Sequence, residues 1–292
     1  MRTGKKILLA GSTGYLGGYI ARQLIQDDID TRAIVRNLKK VDFDVNLVEV
    51  AKAEVTRPET LTGLFSDIDT VISTIGITRQ KDGLTYMDVD FMGNVNLLDE
   101  AMANGVRKFI YVSVLNGEKL RNLKICDAKE KFVDYLKNSG MDYCIIRPNG
   151  FFSDMGDFLE MARGGRVYLF GDGTLKLNPI HGADLAKVCV EAIQSSEKEI
   201  NVGGPDILSQ NEIAELALKA CSKKIRIVHL PDWIRKLTLW LVRTFTSQKT
   251  YGPVEFFLTT MVMDMVAPPY GINKLEDYFN GKPEKKQHEK KV

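Results

Sequence analysis

A doubly wound α/β fold, in which helices cover both faces of a parallel sheet, is predicted by three features of this 292-residue chain. The string Gly11-Ser12-Thr13-Gly14-Tyr15-Leu16-Gly17 lies between an apolar run and a helix-periodic stretch. Strands and helices then alternate through the first half, and the strands are of the apolar type that is buried on both faces. After residue 150 the pattern loosens, which predicts a smaller C-terminal lobe.

The first strand, 6–10, rests on Ile7-Leu8-Leu9-Ala10. In the turn that follows, Gly11 allows the sharp exit from the strand, Gly14 lets the backbone approach a pyrophosphate, and Gly17 lets the next helix pack close to the sheet. Helix 15–26 sets Leu16, Ile20, Leu24 and Ile25 on one face. Its N-terminal amides face a ligand's negative charge. A second strand at 31–35 comes at βαβ distance, the context that separates a dinucleotide cradle from an ordinary glycine turn.

The order continues with strand 47–50, helix 58–65, strand 70–74, helix 90–104, strand 108–113, helix 127–139 and strand 143–147. Thr56 with Glu59, and Ser209 with Glu212, fit the S/T-x-x-E box that satisfies two orphan helix amides, so these carboxylates read as structural. Asn104-Gly105 and Ser139-Gly140 close two helices. Beyond Arg147-Pro148 come helix 154–162, strand 167–170 and the turn Gly171-Asp172-Gly173. Helix 183–194 returns to the sheet, while 199–205 and helix 210–221 are assigned to the lobe. The expected organisation is a Rossmann core over 1–150, with 178–194 returning to it, and a substrate or lid lobe over 151–281. The charged tail 282–292 lacks apolar anchors and is expected to be disordered.

Bulk properties exclude several classes. A formal charge of +2 with scattered basic residues offers no field for nucleic acid. Cys126, Cys144, Cys189 and Cys221 form no CxxC pair, and His181, His229 and His288 have no partner at metal-ligand spacing, so packing cysteines and no metal are expected. The basic N-terminus precedes too short an apolar stretch for a signal peptide, and no run reaches the roughly 20 apolar residues of a membrane span. A cytoplasmic location is the expectation.

An acidic residue at the end of the second strand suits an adenosine ribose, and a cation suits a 2′-phosphate. Arg36 stands there, with Lys39 and Lys40 behind it. A guanidinium binds phosphate bidentately and stacks on adenine, so NADP(H) is expected over NAD(H). The alternative is a solvated basic turn.

With these segments in place, the chain resembles the atypical short-chain dehydrogenase/reductases, within the NmrA-like NAD(P)-binding group that has divinyl reductases among its relatives. The segments that carry the likeness are GSTGYLG (11–17), AIVRN (33–37), DTVISTIGI (69–77), GVRKFIYVSVLNG (105–117), AKEKFVDYLKNSGMDYCIIRPNGFF (128–152), FGDG (170–173), NPIHGADLA (178–186) and NVGGP (201–205). The resemblance implies that Thr74, Ile75 and Gly76 lie along the adenine-side ribose and pyrophosphate. It further implies that Ser113 is the active-site serine, that Lys129 holds the nicotinamide ribose, and that Pro148, Asn149, Gly150 and Phe151 frame the nicotinamide.

One departure bears on mechanism. Standard members use Tyr-x-x-x-Lys, the lysine lowering the phenol's pKa for proton transfer. Four residues before Lys129 stands Ile125, and four before Lys131 stands Asp127. Tyr270 and Lys274 have the spacing but follow Pro268-Pro269 without the required helix, and read as a chance match.

Two functions therefore stand. The chain is either an NADPH-dependent reductase of an apolar carbonyl or conjugated double bond, with Lys129, Ser113 or a water as proton source, or a non-catalytic NADP(H)-binding redox sensor, regulator or assembly factor. Lys129 as a solvated helix lysine is the plain alternative. His181 and Asp184 read as structural, Asp184 near a helix start. Helix 233–245, with Trp233, Ile234, Leu237, Trp240, Leu241 and Phe245 on one face, is expected to pack on its own domain as core or as a lid over the substrate pocket; self-association and a membrane surface are the alternatives.

Overall fold

In the computed structural model, residues 6–78, 80 and 83–281 are described; the expected disorder of 282–292 falls outside them. The first half runs β1 (Lys6–Ala10), α1 (Tyr15–Gln26), β2 (Thr31–Val35), β3 (Glu49–Lys52), β4 (Ile68–Ser73), α2 (Gly93–Ala103), β5 (Lys108–Val112), α3 (Lys124–Asn138) and β6 (Asp142–Pro148). There follow α4 (Gly156–Arg163), β7 (Val167–Phe170), β8 (Lys176–Leu177), α5 (Gly182–Glu191) and β9 (Glu199–Val202). The chain closes with β10 (Leu208–Ser209), α6 (Gln210–Ala220), β11 (Ile227–Leu230), α7 (Asp232–Phe245), α8 (Gln248–Thr260) and α9 (Leu275–Gly281).

Seven parallel strands form the main sheet in the order β3-β2-β1-β4-β5-β6-β9. The order reverses between β1 and β4, which opens a crevice at the carboxyl ends of the strands, where doubly wound folds take ligands. Ala10 pairs with both Ile34 and Ser73, so the glycine turn, Arg36 and Thr74 emerge at one edge. Below that edge, α1 and α5 cover one face through Ile20, Leu24, Leu185 and Cys189. On the other face, α2 and α3 bury Leu97, Leu98, Phe132 and Leu136. Each such buried side chain contributes about 1.5–3 kcal/mol.

The second core joins α4, α6, α9 and the parallel pair β7–β11 around Phe158, Leu169, Ile213, Leu218 and Phe279. Ser209 caps α6 with the full reciprocal box to Glu212. Gly105 and Gly140 take positive φ behind their helices.

Several expectations are corrected. Strand 199–205 does not belong to the lobe: β9 is the outermost strand of the main sheet, beside β6. Helix 58–65 does not form. Only a 3-10 turn at Pro58–Thr60 exists, the Thr56–Glu59 box is absent, and Thr60 Oγ1 instead accepts the Glu54 amide at 3.0 Å. Gly63 turns with φ +80° inside the expected span, and Arg32, a buried residue of β2, donates to the carbonyls of Leu64 and Ser66 at 2.7 and 3.0 Å, fixing the chain in that non-helical path. The stretch 90–104 divides into a wider π-helical turn, Met87–Met92, and α2.

Candidate functional site

The turn after β1 is shaped by what cannot fit there. Gly11 has φ +87°, and a Cβ on it would lie 2.4 Å from Thr74 Oγ1. On Gly17 a Cβ would stand 2.0 Å from the Gly11 carbonyl oxygen, so the helix meets the turn at backbone contact. Gly14 caps α1 in an extended conformation, and its amide donates to Gly11 O at 2.9 Å. Ser12 is fully buried and its hydroxyl donates to Ile34 O at 3.0 Å, bracing the turn on β2. Thr13 is exposed and Leu16 is buried. The Tyr15 hydroxyl accepts the Gly182 amide at 3.2 Å, and its ring stands 5.7 Å from that of Phe151. Burial raises the Tyr15 phenol's pKa. Arg36 lies just past β2, exposed.

A cavity of about 800 Å³ extends from this turn into the lobe. Its wall includes Gly14 to Gly17, Thr74, Gly76, Ser113, Lys129 and Pro148 to Phe151. Gly11, Ser12, Thr13, Arg36 and Ile75 are not on that wall; Ile75 packs against the core under α2 and α3. The far end is apolar, with Phe256, Phe257, Met261, Met263 and Met265.

Two buried charged clusters meet this cavity, and neither was foreseen. Lys129 Nζ lies 3.0 Å from Asp90 Oδ1, and Asp90 is fully buried in the π-helical turn. Asp90 Oδ2 accepts the Ile77 amide at 3.1 Å. A Cβ on Gly76 would come within 2.5 Å of the ammonium and 2.7 Å of the carboxylate, so a bare backbone there leaves room for the pair. The ammonium also lies 5.8 Å from the centroid of the Tyr111 ring. Burial disfavours the charge on Lys129, but Tyr111 and Asp90 outweigh it and raise its pKa, so Lys129 stays cationic. Burial pushes the Asp90 carboxyl up, and Lys129 opposes that shift.

In the second cluster, Ser113 Oγ donates to Glu130 Oε1 at 2.9 Å. Glu130 is fully buried and receives Arg147 bidentately at 2.6 and 2.9 Å, and Arg147 also reaches Glu199 of β9 at 3.1 Å. The Ser113 hydroxyl proton is thus committed to a carboxylate and its lone pairs remain to accept. Lys129 is then the cationic donor on this part of the wall. Ile125, at the position of the absent tyrosine, also lines the cavity, beside Cys126, whose thiol burial pushes up to about 12. Lys129 and Glu130 are adjacent in α3, but Asp90 and Arg147 come from distant segments, and no spacing in the sequence signals either pair.

Asn149, expected to frame a nicotinamide, uses its side-chain amide inside the protein. Its Nδ2 donates to Asn178 Oδ1 at 3.0 Å and to Met265 O, and its Oδ1 accepts the Gly150 amide at 2.7 Å. His181 caps α5, Nδ1 accepting the Ala183 amide at 3.2 Å, and burial lowers its pKa. Asp184 accepts the amides of Ile272 and Asn273 at 3.2 and 3.0 Å. Tyr270 donates to Glu191 at 3.0 Å and lines no part of the cavity, consistent with a chance match.

Comparison with known proteins agrees with this geometry. A family described as NAD(P)H-binding matches residues 11–196. The photosystem II assembly factor Ycf39 of Synechocystis sp. is 28% identical, over 85% of this chain and 76% of that one. The chloroplastic divinyl chlorophyllide a 8-vinyl-reductase of Cucumis sativus is 26% identical, over 94% of this chain and 75% of that one. Among solved structures, an NADPH-dependent quinone oxidoreductase complexed with NADPH, from Escherichia coli, shares the fold. Its TM-score is 0.68 at 17% identity, over 94% of this chain and 98% of that one.

Proposed function

The chain belongs to the NAD(P)H-binding family, and on that premise we propose that it is an NADPH-dependent reductase of an apolar carbonyl or conjugated double bond. One observation carries this reading: a single cavity has a backbone cradle at one end, an apolar wall at the other, and Ser113 and Lys129 between them.

The residues present fit a dinucleotide. The turn closes only with bare backbone at Gly11 and Gly17, where a Cβ would strike Thr74 and the Gly11 carbonyl, and it presents the backbone of Gly14 to the cavity. Amides at the start of α1 suit a pyrophosphate, and Arg36, at the end of β2, suits a 2′-phosphate. When bound, the cofactor supplies hydride. Lys129, held cationic beside Asp90, is assigned to ribose hydroxyls and to negative charge developing on a substrate oxygen. Because its proton is tightly held, Lys129 serves better as an electrostatic donor than as an acid at neutral pH, and water is left as the proton source. Ser113, oriented by Glu130, acts as an acceptor.

Loss of NADPH absorbance in the presence of quinones, enones and aldehydes tests this reading. Turnover that falls in Lys129→Ala supports it. The cofactor assignment is tested alongside: Arg36→Ala should weaken NADPH by about tenfold and leave NADH unchanged, a charge-assisted pair being worth roughly 1.5–3 kcal/mol. Equal NADPH and NADH affinities in the parent would overturn it.

A second reading, an NADP(H)-binding assembly factor, is favoured by Ile125 in place of the proton-donating phenol and by the likeness to Ycf39. Saturable NADPH binding with no turnover across the panel would select it.

A further inference from the structure

Helix α7 carries a large apolar face outward. Trp233, Leu237, Trp240, Leu241 and Phe245 follow helical spacing and are 62%, 45%, 58%, 41% and 73% exposed. The opposite side is attached to α8, with Leu239 buried, Arg235 reaching Leu258 O at 3.4 Å and Arg243 Nε bonding Glu255 at 2.7 Å. A dense outward patch of this kind on a described surface marks an interaction site.

Charge selects the partner. Between residues 223 and 255 the sequence holds seven Lys or Arg against Asp232 and Glu255, an excess larger than the formal +2 of the whole chain. Of these cations, Lys223, Lys224, Arg226 and Lys249 are exposed, while Lys236 and Arg243 pair with Asp232 and Glu255. A second copy docked face to face would set these cations against themselves. The tail 282–292, with five lysines and two glutamates, is also of the wrong sign to cover the patch.

We propose that the outer face of α7 docks on an anionic lipid bilayer, its helix lying in the interface with Trp233 and Trp240 at headgroup level. Amphipathic helices with aromatic anchors and adjacent cations bind in this way. Among the described residues no helix is long and apolar enough to cross a membrane, so the contact is peripheral. Because α8 packs on the inner side of α7 and also lines the cavity, docking sets the apolar end of the cavity behind the α7–α8 pair, on the order of two helix diameters from the bilayer. Delivery of a lipid-dissolved substrate would follow; that consequence rests on the reductase reading, and the docking itself does not.

The test uses the full chain with vesicles of phosphatidylcholine alone or mixed with phosphatidylglycerol. The chain's two tryptophans both lie in α7, so selectively excited tryptophan fluorescence reports on this face alone. A blue shift and flotation with the mixed vesicles, absent with neutral ones and suppressed by salt, are expected. Trp240→Ser with Leu241→Ser should weaken partitioning by more than about tenfold with unchanged circular dichroism. Lys224→Gln and Lys249→Gln should each weaken it about fivefold. No partitioning, partitioning indifferent to lipid charge, or a lipid-free dimer abolished by the α7 variant would overturn the proposal. Turnover of a water-soluble quinone without vesicles tests the reductase reading separately.

Discussion

The two ends of the cavity are built from different materials. At the glycine turn the shape is set by backbone: Gly17 meets the Gly11 carbonyl, and Gly11 sits against Thr74. At the lobe end it is set by the side chains of α8 and the segment after it, among them Phe256, Met261 and Met263. A backbone wall cannot yield to a substitution, whereas a wall of methionine and phenylalanine can be recut. The contrast assigns selectivity for substrate to the lobe and leaves the cradle intolerant of change.

The sharpest way to break this contrast is Gly17→Ala. Its Cβ would press on backbone at 2.0 Å, so a stability loss of more than about 4 kcal/mol is expected in urea unfolding, together with loss of NADPH binding. Tolerance of alanine there would remove the distinction between the two ends. Next in size, Lys129→Met leaves Asp90 buried without its cation and should cost about 3 kcal/mol, part of which Asp90→Asn in the same chain should restore. If the double variant is no better than the single one, the pair is not what holds this wall.

A smaller effect is expected at the lobe end. Met263→Ala should raise KM for an apolar substrate about tenfold and leave the NADPH Kd unchanged, as measured by steady-state kinetics and cofactor titration. A parallel shift in cofactor affinity would mean that the two ends are coupled. The smallest effect concerns the cap of α5. Burial depresses the pKa of His181, so the unfolded chain binds a proton that the folded chain resists. Stability should therefore fall as pH drops below about 6.5 and through the lower folded value, by about 1 kcal/mol, the worth of a helix cap. His181→Asn keeps an acceptor at the cap and should flatten that part of the profile; an unchanged slope would assign the pH dependence to another group.

The same division separates what could be read in advance from what could not. The spans Lys6–Ala10 and Tyr15–Gln26 follow from an apolar run, three glycines and a 3.6-residue period, all local signals. The expected helix at 58–65 failed at Gly63, whose positive φ turns the chain inside the span, and Arg32, distant in sequence, holds the carbonyls of Leu64 and Ser66 beyond that turn. Strand β9 was misassigned because nothing within Glu199–Val202 names its neighbour; Arg147 and Glu199 join it to β6 across the fold. Lys129 was singled out by resemblance, yet Asp90 and Glu130 were not, since buried carboxylates look like surface ones until their cations are in place.

The amide of Asn178 closes a knot among three distant stretches. It bonds Asn149, the Gly204 carbonyl, and both the carbonyl and the NH of Ala267. Residue 267 is in an irregular stretch between α8 and α9, a part of a chain that would ordinarily open first. Its NH should instead exchange with deuterium as slowly as those of β6. The segment carrying the methionines at the apolar end of the cavity is thereby moored at its downstream end.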